Sequence, residues 1–183
     1  MDGGTLGQAL GYKTRIRDRR KRFWKRKKFT YEQVLKYARE ITEAMVYCHH
    51  NQVISDGMLL HRDLKPDNIG FTLDGTLKIF DFGLARVIHG ANPDDADGYY
   101  EMSGECGSLR YMAPEVADSK PYNHKVDVYS FAIILWEMMA FEKPFDGMTR
   151  DEFYQKVVHD GERPPVNKKW PENLVELMTT CWR

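Results

Sequence analysis

Long hydrophobic runs are what this 183-residue chain most lacks. A membrane-spanning helix needs about 18 consecutive apolar residues, and no such run occurs. The most apolar stretch, residues 126–140, is interrupted by Asp127, Ser130 and Glu137 and predicts a buried helix. The first residues contain no apolar core of a secretory leader. Cysteine is scarce too. Cys48, Cys106 and Cys181 are odd in number and have neither CxxC nor Cys/His metal spacing, which argues against a disulfide framework and a zinc module. The expected setting is reduced and cytoplasmic, with the nucleus as a second compartment. There is no net charge either, with 27 basic and 27 acidic residues.

What is present suits one folded domain: 42% of residues are hydrophobic and 30% charged, ordinary values for a globular protein. The charge is unevenly placed. Ten of the fourteen residues from Arg15 to Lys28 are Arg or Lys, whereas the chain from Phe29 onward carries a net −9. Such a run reads as a solvated helix face or loop insertion, or as a docking site for an acidic partner, anionic lipid or nucleic acid. Phe23 and Trp24 within it keep a membrane-surface role open.

The first 28 residues show little periodic apolar pattern. Thr30, followed three residues later by Gln33, forms a capping-box signal,. Val34, Ala38, Ile41, Met45 and Cys48 then recur at helical spacing, predicting a helix through about His50,. Residues 69–73 and 76–80 alternate as strands around Asp74-Gly75, the dipeptide suited to a two-residue type I′ turn,. With that turn, cross-strand partners have numbers summing to 149, so Asn68 would face Asp81. An amide oxygen beside a carboxylate suits a hard cation such as Mg²⁺. Residues 83–112 read as a long irregular segment, 127–140 as a central buried helix, and a further helix starts at Thr149 or Asp151. Pro164-Pro165 marks a stiff connector, and Leu174, Leu177, Met178 and Cys181 begin a last stripe.

Three motifs stand in order: His61-Arg62-Asp63-Leu64-Lys65-Pro66-Asp67-Asn68, then Asp81-Phe82-Gly83, then Ala113-Pro114-Glu115. Together they resemble the catalytic loop and activation segment of eukaryotic-type protein kinases. Cys181-Trp182 and residues 161–165 are similar to late signatures of the tyrosine-kinase-like group. The resemblance implies a mainly α protein-kinase-like fold with a small β-hairpin. Residues 1–183 would form the C-terminal lobe only, with the N-terminal β lobe missing and a basic insertion at 15–28.

The resemblance also implies roles. Asp63 would orient the attacking hydroxyl and accept its proton, Lys65 would reach the transferred phosphoryl group, and Asn68 and Asp81 would hold magnesium. Lys65, Asp67, Asn68, Gly70 and Asp81 would contact ATP. Lys65 with Ser108 favours serine and threonine as acceptors in protein substrates. Arg62 and Lys78 would receive an activation-segment phosphate, with Ser103 preferred over Tyr99 and Tyr100 as its carrier. His61 and Phe82 would pack together, and Asp127 would brace the catalytic loop from a helix start.

The chain departs from the family in several places. It has no GxGxxG phosphate loop and no strand lysine of the VAIK type. Arg183 follows Cys181-Trp182 too closely to pair with Glu115 in the family's manner. Gly70 stands where kinases place a branched apolar side chain under adenine. The chain is therefore expected to be a fragment of an active kinase, with little turnover alone. The alternatives are a catalytically silent kinase-like binding module or scaffold fragment and, on the basic run alone, a nucleic-acid binder.

Overall fold

A computed structural model describes residues 3–11, 28–50, 54, 57–90 and 98–183. Except for Lys28, the basic run lies outside the described residues. A helix that is apolar on every side must be enclosed, and α4 (Lys125–Ala140) is. Twelve of its residues are buried, Ala132, Ile133, Ile134 and Leu135 completely. Burying an Ile or Leu side chain contributes about 1.5–3 kcal/mol, so α4 is the main apolar support of the domain. Around it pack α2 (Tyr31–His49), α6 (Glu172–Cys181) and a 3₁₀ turn at Leu109–Tyr111. The Trp136 indole donates to the Pro165 carbonyl at 2.8 Å, pinning the proline connector to the same helix.

The start of α2 follows its sequence signal. Thr30 Oγ1 accepts from the Gln33 backbone N–H, and the Gln33 side chain accepts from that of Thr30. Its buried face is Val34, Ala38, Ile41, Met45 and then His49, one position beyond the expected Cys48. Thr149 caps α5 (Arg150–Phe153) by the same box, and the helix continues as a π-helical stretch through His159 that packs on the short α3 (Pro114–Ala117).

Two features go beyond the sequence reading. The first residues contain a short helix, α1 (Leu6–Ala9), capped by Thr5, with Leu6 and Leu10 buried against the core. In addition, the expected hairpin is joined, among the described residues, by a second two-stranded sheet. β2 (Ile69–Phe71) pairs with β3 (Leu77–Ile79), whereas β1 (Gly57–Leu60) pairs with β4 (Arg86–His89). The 83–112 segment is therefore regular at its start.

The β2–β3 register also differs from the expected one. Ile69 faces Ile79, Gly70 faces Lys78 and Phe71 faces Leu77. Partner numbers thus sum to one less than a two-residue turn requires. The cause is the loop. The Gly75 N–H donates to the Thr72 carbonyl and the Thr72 N–H to that of Thr76, while Gly75 sits at φ 81°. This is a three-residue loop: a type I turn followed by a left-handed glycine. Thr72 and Thr76 reinforce it by bonding the Asp74 carboxylate. The shift matters because it moves Asn68 opposite Phe80.

Candidate active site

The geometry of the site begins with a buried carboxylate. Asp127, in the first turn of α4, is completely buried. Its Oδ1 accepts from the Arg62 backbone N–H and its Oδ2 from that of His61, each at 2.8 Å. His49, at the end of α2, adds its Nε2 to Oδ2 at 2.9 Å. Burial pushes this carboxyl upward, but these bonds outweigh it and hold the group below the ordinary aspartate range. They also hold Arg62 in a left-handed conformation at φ 64°, which costs a non-glycine residue about 1–2 kcal/mol.

His61 is set by two opposite bonds. Its Nδ1 accepts from the Asp63 N–H at 3.3 Å, and its Nε2 lies 3.2 Å from the Phe80 carbonyl. A carbonyl can only accept, so the proton sits on Nε2. The ring packs on Phe82 with centroids 4.8 Å apart.

Asp63 is enclosed by donors. Its Oδ2 accepts from Lys65 Nζ at 2.5 Å and Asn68 Nδ2 at 3.1 Å, and its Oδ1 accepts from the Ser108 N–H at 2.9 Å. Lys65 Nζ also donates to Ser108 Oγ at 2.9 Å. Side chains of Asp63 and Lys65 are 10% and 21% exposed, so a reacting group could still approach. The activation segment reaches this loop at Gly107, whose φ is 100°. A Cβ there would lie 2.5 Å from the Arg62 carbonyl oxygen, so no other residue fits.

Asn68 is nearly buried and spends Nδ2 on the Asp63 carbonyl and carboxylate, so the oxygen it can offer a cation is Oδ1. Asp81, exposed and left-handed at φ 65°, directly follows the residue paired with Asn68. Both offer hard oxygen donors, the chemistry magnesium takes. Among the described residues no group of three His, Cys, Asp or Glu could hold a metal ion by itself. Such a donor set fits an ion that shares its coordination with phosphates and water. Asp67 lies in the 3₁₀ turn Pro66–Asn68, where its Oδ1 comes so close to Gly7 that a Cβ there would be 2.8 Å away. Gly70 is buried in β2 and bridges to Thr5.

Arg62 and Ser103 meet. Arg62 Nη1 donates to Ser103 Oγ at 2.9 Å and to the Tyr122 hydroxyl at 2.8 Å, while its Nε donates to the Leu84 carbonyl. Tyr122 in turn donates to the Ser103 carbonyl at 2.9 Å. Tyr100 forms an isolated bridge with Tyr122, Tyr99 is 62% exposed, and Lys78 is exposed on β3. Glu115 is half-buried, and desolvation holds its carboxyl above the ordinary glutamate range, with the Arg163 and Lys120 charges opposing.

Sequence reasoning missed His49 and Tyr122. A signal for His49 existed: it is the polar residue that continues the α2 apolar stripe four positions after Met45. Tyr122 had none.

The fold and the order of these segments are those of a protein kinase domain. Residues 10–183 match the family model described as protein kinase domain, and the chain belongs to that family, in its tyrosine-kinase-like group. It is 37% identical over 155 residues to serine/threonine-protein kinase STY17 of Arabidopsis thaliana, covering 85% of this chain and 25% of that protein. It is 41% identical over 151 residues to serine/threonine-protein kinase VIK of the same plant, covering 80% and 32% respectively. With mitogen-activated protein kinase kinase kinase 7 of Drosophila melanogaster it shares 36% over 150 residues, covering 81% and 20%. The chain thus spans between a fifth and a third of the length of these relatives. ATP binding and magnesium are typical of the family.

Two outcomes test the electrostatics. Asp127→Ala strands His49 and two backbone N–H groups, and chemical denaturation should show a loss of about 3 kcal/mol or more. Glu115 has a raised folded-state pKa, so its contribution to stability is full below the ordinary glutamate value and is lost as pH rises through the folded one. Glu115→Gln should therefore raise the thermal midpoint at pH 7, and the gain should vanish in scans below about pH 4.

Proposed function

We propose that this chain is the C-terminal, catalytic-loop-bearing lobe of a serine/threonine protein kinase, spanning residues 1–183 with a basic insertion at 15–28. The observation that carries this reading is the shared position of Lys65 Nζ, bonded at once to Asp63 and Ser108. Phosphoryl transfer is catalysed by placing the acceptor and offsetting charge on the moving group. Asp63 aligns the acceptor hydroxyl and takes its proton. The Ser108 N–H on Oδ1 and Asn68 on Oδ2 keep the carboxylate turned toward that hydroxyl. Lys65 sets a positive charge two residues on, where the transferred group passes. Asn68 Oδ1 and Asp81 would hold magnesium, which supplies charge neutralisation to the ATP phosphates when bound. Gly70 leaves the adenine site short of apolar contact, and Asp67 belongs to the same nucleotide-facing turn.

Ser103 is the preferred activation-segment phosphoacceptor. Its hydroxyl already accepts from Arg62, and a phosphate there would carry close to two charges against that guanidinium. Lys78 would complete the basic pair. Protein substrates and ATP are the partners of this reading, with an acidic partner for residues 15–28 and the cytoplasm or nucleus as the compartment.

The test uses the longest natural form of the protein that contains this chain, labelled ATP and a serine-rich acceptor protein. Transfer to serine and threonine is expected, and Asp63→Asn should reduce it by about 100-fold or more. Equal incorporation by wild type and Asp63→Asn would instead establish a silent binding module. In the same assay Ser103→Ala should lower the rate several-fold; an unchanged rate with no phosphopeptide at Ser103 would remove that residue from the scheme.

A further inference from the structure

Residues 105–110 are gripped at both ends by the stretch from Pro144 to Tyr154. At the near end, the Glu105 carboxylate accepts from Arg150 Nη2 at 2.9 Å and from the Tyr154 hydroxyl at 2.7 Å. At the far end, Arg110 donates to the Pro144 and Phe145 carbonyls, each at 2.7 Å, and faces Asp146 at 3.7 Å. The polarity is crossed: the segment offers an acid to a base at one end and a base to an acid at the other. Gly107 and Ser108, the residues that meet the catalytic loop, lie between the two grips.

The near grip is organised by α5. Arg150 and Tyr154 stand four residues apart, on one face of the helix and its continuation,. The Arg150 guanidinium carbon lies 5.3 Å from the Tyr154 ring centre, and Arg150 Nη2 also donates to the Tyr154 oxygen at 3.3 Å. The two donors are thus arranged before the carboxylate arrives. The Tyr154 hydroxyl and then the Arg150 charge hold the Glu105 carboxyl below the ordinary glutamate range. The backbone adds a second tie. Glu105 sits at φ 50° and its N–H donates to the Val116 carbonyl at 2.8 Å. Its neighbour Gly104 lies against Ser119 so tightly that a Cβ would come within 2.2 Å of the hydroxyl oxygen.

We propose that Glu105 is a positioning residue. Through Arg150 and Tyr154 it holds Gly107 and Ser108 at the depth where the Ser108 N–H reaches Asp63 and its hydroxyl reaches Lys65. Gly107 transmits the placement because it rests on the Arg62 carbonyl with no spare room. An outward shift of Glu105 therefore lifts Ser108 from the catalytic pair. The catalytic meaning of this grip rests on the kinase reading, whereas the grip itself does not.

The test is backbone amide hydrogen exchange on the whole chain without nucleotide. Glu105→Arg and Arg150→Glu should each speed exchange at the Ser108 amide by about three-fold, the scale set by a partly exposed charged pair. The double variant carrying both changes restores opposite charges and should return Ser108 to the wild-type rate. Amides of α4 and the thermal midpoint should stay unchanged throughout. Unchanged exchange at Ser108 in both single variants would overturn the proposal, as would failure of the double variant to restore it. Should Glu105→Arg not fold, Glu105→Gln takes its place, and a rise confined to residues 105–108 supports the grip while no rise overturns it. Failure of phosphate transfer by the wild type would sink the kinase reading and leave this exchange result standing.

Discussion

The Asp127 carboxylate is the interaction on which the site depends. Among the described residues it links the apolar helix α4 and the end of α2 to the backbone of the catalytic loop at His61 and Arg62 by direct hydrogen bonds. A buried carboxylate without donors would protonate rather than stay charged. Here three donors converge on it, so the charge persists and orients the loop. The left-handed Arg62 follows from this demand, because two successive N–H groups must turn toward one carboxylate. That turn also aims the Arg62 guanidinium at Ser103 and Tyr122. One buried charge thus sets the backbone beneath Asp63 and the reach of the arginine toward the activation segment.

Above this foundation the site is closed by contacts between loops. Asp63 is held from its own loop by Lys65 and Asn68, but from the activation segment by the Ser108 N–H. Lys65 divides its ammonium between the two loops. Below, the 3₁₀ turn Leu109–Tyr111 is fastened to α4. Ser130 Oγ donates to the Tyr111 carbonyl, and the Tyr111 hydroxyl donates to the buried Glu137. The activation segment is therefore anchored beneath to the same helix that holds the catalytic loop, which gives the two loops a common frame.

Much of this frame was legible in the sequence. The central helix, the Thr30 capping box, a helix starting near Thr149 and the order of the three motifs are local patterns that tertiary contacts reinforce. The hairpin register was misread for a physical reason. Asp74-Gly75 satisfies a two-residue turn on composition, but Thr72 and Thr76 both bond the Asp74 side chain and widen the loop by one residue. A register read from a dipeptide cannot see side-chain bonds across the turn. The β1–β4 pairing was missed because its strands are separated by the whole catalytic loop and hairpin. Tyr122 escaped for a similar reason, since its hydroxyl has value only once Arg62 and Ser103 are brought to it.

Strain marks where local preference gives way to the site. Among the described residues six non-glycine positions have positive φ, and Arg62, Asp81 and Glu105 fall within the catalytic loop and the segment from Asp81 to Glu115. Each such residue costs on the order of 1–3 kcal/mol. A fold does not keep that cost unless surrounding contacts outweigh it. At Arg62 the offset is the buried Asp127 carboxylate; at Glu105 it is a backbone bond to Val116 and two side-chain donors from α5. At Asp81 the protein supplies less: its backbone follows the Phe80–Asn68 bond, and its exposed side chain lies near Gly83. Among the described residues, Asp81 is the one of the three whose strain is least offset by protein contacts. In the proposed kinase reading, a cation taken by this carboxylate and Asn68 Oδ1 would offset that cost.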